Sequence, residues 1–221
     1  MIAAELKPFK EINESLLPFE RVLVVGCGTC TTVCLTGGER QVELLATALR
    51  LARKVEGSSL QTKEATVQRQ CEPEFAGVLK EAAGGLDAAL SLGCGAGVQL
   101  VSDVLAPLPV LPALNTSFIG VAKEHALWEE RCAACGDCVL GGTAGICPVA
   151  RCAKGILNGP CGGTNDGRCE IGDAPCAWTL IYERLEAQGR LDDFKRIAPP
   201  KDFAAATGPR KLDLREVADE P

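Results

Sequence analysis

Histidine and methionine are almost missing from this 221-residue chain: there is one of each, His125 and Met1. A single imidazole excludes a histidine-rich metal site and any chemistry that needs two. Aromatic residues are few, at 4%. Basic residues are outnumbered, with 23 Lys+Arg against 29 Asp+Glu and a net charge of -6, the opposite of a nucleic-acid binder. Long hydrophobic runs are also absent. No stretch approaches the roughly 18 apolar residues of a membrane span, so no membrane insertion is expected. The first ten residues lack the basic start, apolar run and small-residue cleavage site of a secretory leader. The expected location is therefore the cytoplasm.

Cysteine and glycine are what the chain has in excess, 13 and 24 residues respectively. In a reducing compartment clustered thiols read as metal ligands or redox groups, and an odd count argues against a fully paired disulfide framework. Cys27, Cys30, Cys34, Cys71 and Cys94 lie in the first part of the chain, and eight more fall between Cys132 and Cys176. This division predicts an α/β domain over residues 1–125, a cysteine- and glycine-rich, metal-organised domain over 126–190, and an extended tail over 191–221.

The first part alternates strand and helix patterns. Residues 21–26 are a β-branched apolar run, hence a buried strand. Val42, Leu45, Leu49 and Ala52 share one face of a helix over 37–55. A weak strand follows near 65–70, then a helix from Pro73 to Gly84, a strand over 88–92, a helix over 97–105 and an edge strand over 110–114. Repeated strand–helix units imply a small parallel sheet of Rossmann or flavodoxin type covered by helices. Cys27, Cys71 and Cys94 each follow a strand. That puts them at the carboxyl edge, where open parallel sheets bind ligands. Two edges share a pattern, Gly26-Cys-Gly28 and Gly93-Cys-Gly95, whose glycines admit a bulky centre.

Cys27-x2-Cys30-x3-Cys34 supplies three thiolates from one turn. A fourth, from Cys94 or alternatively Cys71, would complete a [4Fe–4S] site. A zinc ion or a redox-active thiol pair is the alternative reading of the same spacing. Cys132-Ala-Ala-Cys-Gly-Asp-Cys138 is a ferredoxin-like run, followed at a longer gap by Cys147-Pro148. It predicts a second cluster on Cys132, Cys135 and Cys138, with Cys147 favoured as fourth ligand and Cys176 as runner-up. Cys152, Cys161 and Cys169 are further candidate metal ligands, for zinc or an additional cluster.

Nothing in the sequence competes as a catalytic site. The loop after the first strand lacks the Lys-Ser/Thr ending of a phosphate loop and the third glycine of a dinucleotide fingerprint. His125, in a helix-like polar stretch over 121–128, reads as a surface residue, and Asp137 as a solvated carboxylate. Residues 177–189 read as a helix with Trp178, Ile181 and Leu185 on one face, ended by Gly189. Beyond it Phe194, Phe203 and Leu214 read as anchors of a tail that wraps a partner.

The residues also resemble a known family. Gly26-Cys-Gly-Thr-Cys-Thr-Thr-Val-Cys34, Gln70-Cys71, Gly93-Cys-Gly-Ala-Gly-Val98, Gly145-Ile-Cys-Pro-Val-Ala-Arg-Cys152 and Asn158-Gly-Pro-Cys-Gly-Gly163 are similar to the small MetV-type subunit of bacterial methylenetetrahydrofolate reductase, the methylenetetrahydrofolate reductase C-terminal domain family. The resemblance runs from about residue 12 to residue 215. It implies a non-catalytic, iron–sulfur electron-transfer subunit of the one-carbon (Wood–Ljungdahl) pathway. Its implied partner is a flavin-bearing barrel subunit whose FMN reduces methylene- to methyl-tetrahydrofolate. The implied donor is ferredoxin, a hydrogenase or a heterodisulfide-reductase-like complex. Some members are zinc proteins, so a zinc-organised interaction subunit without a redox role is the alternative.

Overall fold

The computed structural model describes residues 1–213. It forms two units, the first Met1–Glu129 and the second from Glu130 onward. The boundary falls a few residues beyond the expected one.

Unit 1 contains β1 (Ile2–Leu6), α1 (Phe9–Ser15), β2 (Arg21–Cys27), α2 (Cys30–Val33), α3 (Glu39–Val55), β3 (Gln61–Val67), α4 (Pro73–Ala76), α5 (Leu79–Ala82), β4 (Ala88–Ser91), α6 (Gly95–Leu105), β5 (Val110–Pro112) and β6 (Leu114–Glu124); β7 (Leu127–Cys132) leads out of it. The central sheet is parallel, in the order β3-β2-β4-β5. β2 lies between the strand that follows it and the next one, so the connection reverses direction at β2. This is the switch point where parallel sheets open a crevice at their carboxyl ends.

Burial on both faces explains the continuous apolar run of β2. Val22 and Val24 pack with Val42, Leu45, Ala46 and Leu49 of α3. Leu23 and Val25, on the other face, pack with Leu79, Val101 and Leu105. The helices therefore cover both faces, as the strand–helix alternation implied.

Four details differ from the sequence expectation. β3 runs over Gln61–Val67, earlier than expected, and is largely polar because it is the sheet edge, with only Val67 buried. The helix after Pro73 is two short helices, α4 and α5. β1, unforeseen, pairs antiparallel with β6, Leu6 opposite Leu114 and Ile2 opposite Ile119. The stretch over 121–128 is not helical. It is the end of β6, a turn at His125-Ala126 with Ala126 at φ 61°, and the start of β7. Strand pairing overrides the local helix propensity of Ala-Lys-Glu-His-Ala-Leu. His125 is exposed in that turn.

Unit 2 contains α7 (Pro148–Arg151), the two-residue strands β8 (Thr164–Asn165) and β9 (Arg168–Cys169), α8 (Ala177–Ala187), α9 (Leu191–Phe194) and a 3-10 turn over Ala204–Ala206. Its glycine content does not prevent a small apolar core. Ala144, Ile146, Trp178, Ile181 and Leu185 are buried together, with Cys152, Cys176 and Phe194 against them. Trp178 also fixes the Asn158-Gly-Pro-Cys161 turn. Its indole N–H donates to Ile156 O at 2.9 Å, and a Cβ at Gly159 would stand 2.4 Å from its ring.

The tail is not free of its own unit. Asn158 Nδ2 donates to Ala198 O at 2.9 Å, and Ala198 N donates to Asn158 Oδ1 at 2.7 Å. Phe194, expected as a partner anchor, meets Trp178 and Tyr182 edge-on at centroid distances of 5.9 and 5.4 Å. Leu214 lies outside the described residues. Phe194→Ala should therefore destabilise unit 2 itself by ~1–3 kcal/mol, less than a fully buried phenylalanine would cost. Chemical denaturation followed by tryptophan fluorescence checks this; an unchanged midpoint would return Phe194 to the role of a partner anchor. Among the described residues, no helix is long and apolar enough to cross a membrane.

Candidate functional site

Three of the predicted thiols come together at the carboxyl edge of the parallel sheet. Cys27 ends β2, Cys71 follows β3, and Cys94 caps the start of α6 just after β4. The neighbouring strands align their ends, Cys27 opposite Val67 and Val25 opposite Ser91. Partial burial pushes the Cys71 thiol above its ordinary pKa, and the nearby charges of Cys94 and Cys27 push it further. All three sulfurs thus share one electrostatic neighbourhood.

A residue that spacing arguments undervalued holds them there. Gln70 is fully buried. Its Nε2 donates to Val25 O at 3.0 Å, its Oε1 accepts from Ser91 Oγ at 2.5 Å, and Ser91 Oγ in turn accepts from Gly93 N at 3.1 Å. One side chain therefore ties the β3–α4 loop to the ends of β2 and β4. Gly93 and Gly97 make room for it: a Cβ at either would stand 2.5 or 2.8 Å from Gln70. The signal in the sequence was a glutamine directly beside a cysteine, with glycines at the facing turn.

The loop after Cys27 is closed by hydroxyls. Thr31 Oγ1 donates to Leu92 O at 3.1 Å and Thr32 Oγ1 donates to Cys27 O at 2.7 Å. Cys30 opens α2 and is partly exposed. Cys34, expected as a ligand beside it, is turned elsewhere. It is buried, and its thiol donates to Ile2 O of β1 at 3.5 Å. Burial raises its pKa, a backbone bond from Ala4 opposes this, and Cys30 adds to the rise.

In unit 2, Cys132, Cys135 and Cys138 lie on one loop. Ala134 at φ 51° and Gly136 at φ 83° bend it, and Ala134 N donates to Cys132 Sγ at 3.4 Å. Cys147 and Cys152 flank the single turn of α7. Cys161 Sγ accepts from Gly163 N at 3.4 Å and from Lys154 Nζ at 3.7 Å, and Lys154 also pairs with Glu170. Cys169 ends β9. Cys176 caps α8. Burial pushes its thiol up, but bonds from Thr179, from the Trp178 backbone and from Thr164 outweigh this and leave its pKa below the ordinary value.

Among the described residues, no three His, Cys, Asp or Glu side chains stand close enough to hold a single metal ion. An iron–sulfur cluster makes a different demand, since each thiolate binds its own iron and the sulfurs stand further apart. The donor chemistry at the sheet edge fits soft-ligand binding of iron: thiols from Cys27, Cys71 and Cys94, two of them flanked by glycines, with the one histidine elsewhere in a hairpin turn. A separate cavity of about 590 Å³ in unit 2, lined by Trp178, Ile181, Leu185, Phe194 and Ile197 among others, has no cysteine in its walls. It borders the Cys132–Cys138 loop through Asp137 and Lys201.

Residues 111–204 match the family described as Methylene-tetrahydrofolate reductase C terminal. The match links the chain to methylenetetrahydrofolate reductase. This C-terminal family segment starts on β5 and reaches the tail, so it includes every cysteine from Cys132 to Cys176 and none of those from Cys27 to Cys94. It covers fewer than half of the chain's 221 residues. Comparison with curated proteins and with solved structures gave no match.

Proposed function

We propose that the chain is an iron–sulfur electron-transfer subunit of a methylenetetrahydrofolate reductase, cytoplasmic and without a catalytic site of its own. The carrying observation is the group of Cys27, Cys71 and Cys94 on adjacent parallel strand ends, tied by Gln70. Cys30, at the start of α2, completes the first ligand set. Cys34 is left out because its thiol is committed to β1. The second set is Cys132, Cys135 and Cys138, with Cys147 as fourth ligand on local spacing and Cys176, whose pKa is lowered by bonds from Thr179, the Trp178 backbone and Thr164, as its rival. Cys152, Cys161 and Cys169 stay outside both sets.

When bound, each [4Fe–4S] cluster supplies one-electron transfer at a potential set by its surroundings. The chain's own residues do the rest. Gln70, Thr31 and Thr32 fix the strand ends, and the Ala134 amide bonds a ligand sulfur. The family match supports a methylenetetrahydrofolate reductase partner, which in this reading is a flavin-bearing subunit whose FMN receives the electrons.

Anaerobic purification tests the reading. The expected protein is brown, absorbs broadly near 400 nm and carries about eight irons per chain, four for each cluster. A colourless chain holding only zinc would replace it with the zinc-organised interaction subunit. Metal-free protein with one low-pKa thiol would favour a thiol redox sensor. Co-purification with the flavin-bearing subunit checks the partner.

A further inference from the structure

The loop carrying Cys132, Cys135 and Cys138 is strapped down by the tail of its own unit. Asn158 grips the backbone at Ala198 with two hydrogen bonds and so sets the register of the tail from Pro199 onward. Further along, the 3-10 turn lies on the loop. A Cβ at Gly136 would stand 2.8 Å from Ala205 Cβ and 3.0 Å from Ala205 O, so glycine at 136 serves both its positive φ and this close approach. Arg210 Nη1 donates to Ala134 O at 2.7 Å and closes the strap.

Lys201 sits within this strap. Its side chain is only 2% exposed, whereas that of its ion-pair partner Asp137 is 64% exposed. Its ammonium donates to the Asp137 carbonyl, the same oxygen that accepts from the Cys135 thiol at 3.6 Å, pairs with Asp137 Oδ2 at 3.1 Å and stands 5.8 Å from the Phe203 ring centroid. Lysine is almost never covered in this way unless it is paired. Here an exposed carboxylate is joined by a thiol of the predicted cluster run.

We propose that Lys201 is an electrostatic tuning residue, whose ammonium beside Asp137 and Cys135 favours the reduced state of an iron–sulfur cluster on this loop. This rests on the function proposed above. Reduction adds one electron and therefore one negative charge to the cluster and its thiolates, with no proton transferred. A fixed cation that shares the Asp137 carbonyl with a ligand thiol stabilises that added charge, and net charge near the sulfurs is among the factors that set such potentials. The tail thus acts on the loop by delivering a cation, and Asn158 and Gly136 serve that delivery.

Mediated redox titration of the anaerobically purified full chain, followed by EPR, tests this, the mediators supplying one electron per cluster. Lys201→Met keeps the apolar stem and removes the charge; Lys201→Arg keeps the charge. In Lys201→Met one cluster should become about tenfold harder to reduce, a shift of about 59 mV to more negative potential for one electron. The other cluster and the iron content should be unchanged, and Lys201→Arg should titrate like the parent. Unchanged potentials for both clusters in an iron-replete Lys201→Met chain would overturn the proposal. If Lys201→Met loses iron, Lys201→Arg decides. Full iron at the parent potential supports the charge, whereas iron loss there too makes the residue a packing element and ends the proposal. A parent chain without iron would sink the function itself, a different and recognisable failure.

Discussion

Cys71→Ser should remove about four of about eight irons per chain, while Cys34→Ser should leave all of them. The two thiols separate the sheet-edge site from the simple spacing motif. Spacing alone joins Cys34 to Cys27 and Cys30, because three cysteines within one turn look like one ligand group. The fold turns the Cys34 sulfur to Ile2 O of β1, and brings Cys71 into the neighbourhood of Cys27 and Cys94. Serine is nearly isosteric but a poor ligand for iron, so the effect on folding is small at exposed Cys71. Iron analysis and EPR of the two anaerobic variants read the result directly. Full iron in Cys71→Ser with half lost in Cys34→Ser would restore the spacing motif as the ligand set.

Gln70→Leu should lower the stability of the metal-free chain by about 1–3 kcal/mol and reduce the iron bound at the first site. The substitution roughly conserves volume, so the loss is polar. Val25 O keeps a second donor in Leu92 N at 2.8 Å, and Ser91 Oγ still accepts from Gly93 N. What is orphaned is the Ser91 hydroxyl proton, whose acceptor Gln70 Oε1 disappears in a fully buried place. An unmet buried donor costs about 1–3 kcal/mol. The β3–α4 loop would then be held only by its ends, and Cys71 with it. Urea denaturation of the metal-free chain measures the first effect, and iron per chain measures the second. A Gln70→Leu chain with an unchanged midpoint and full iron would show that the thiol group is held by the strands alone.

The sequence by itself determined the parallel sheet and its helices. β2 and β4 are buried on both faces, so their apolar runs are continuous and legible without any partner in view. α3 and α8 were legible from their apolar faces, and the carboxyl-edge position of Cys27, Cys71 and Cys94 followed from the order of strands. Composition alone also made cysteine the candidate donor, since one histidine cannot build an imidazole-rich site.

Tertiary structure decided everything that depends on pairing between distant segments. β3 hid its extent because an edge strand has little apolar signature. The hairpin at His125-Ala126 hid behind residues that favour helix, until the β6–β7 pairing imposed strand. Where the thiols turn was decided by tertiary contacts: the Cys34 thiol donates to Ile2 O of β1, and Cys71 follows β3 on the loop held by Gln70. The tail, read as extended for a partner, is held in its described part by Asn158, Trp178 and Tyr182 of its own unit, and it carries Lys201 onto the cysteine loop. Spacing along a chain fixes which groups are near in sequence; hydrogen bonds and burial between remote segments fix which sulfurs and charges meet.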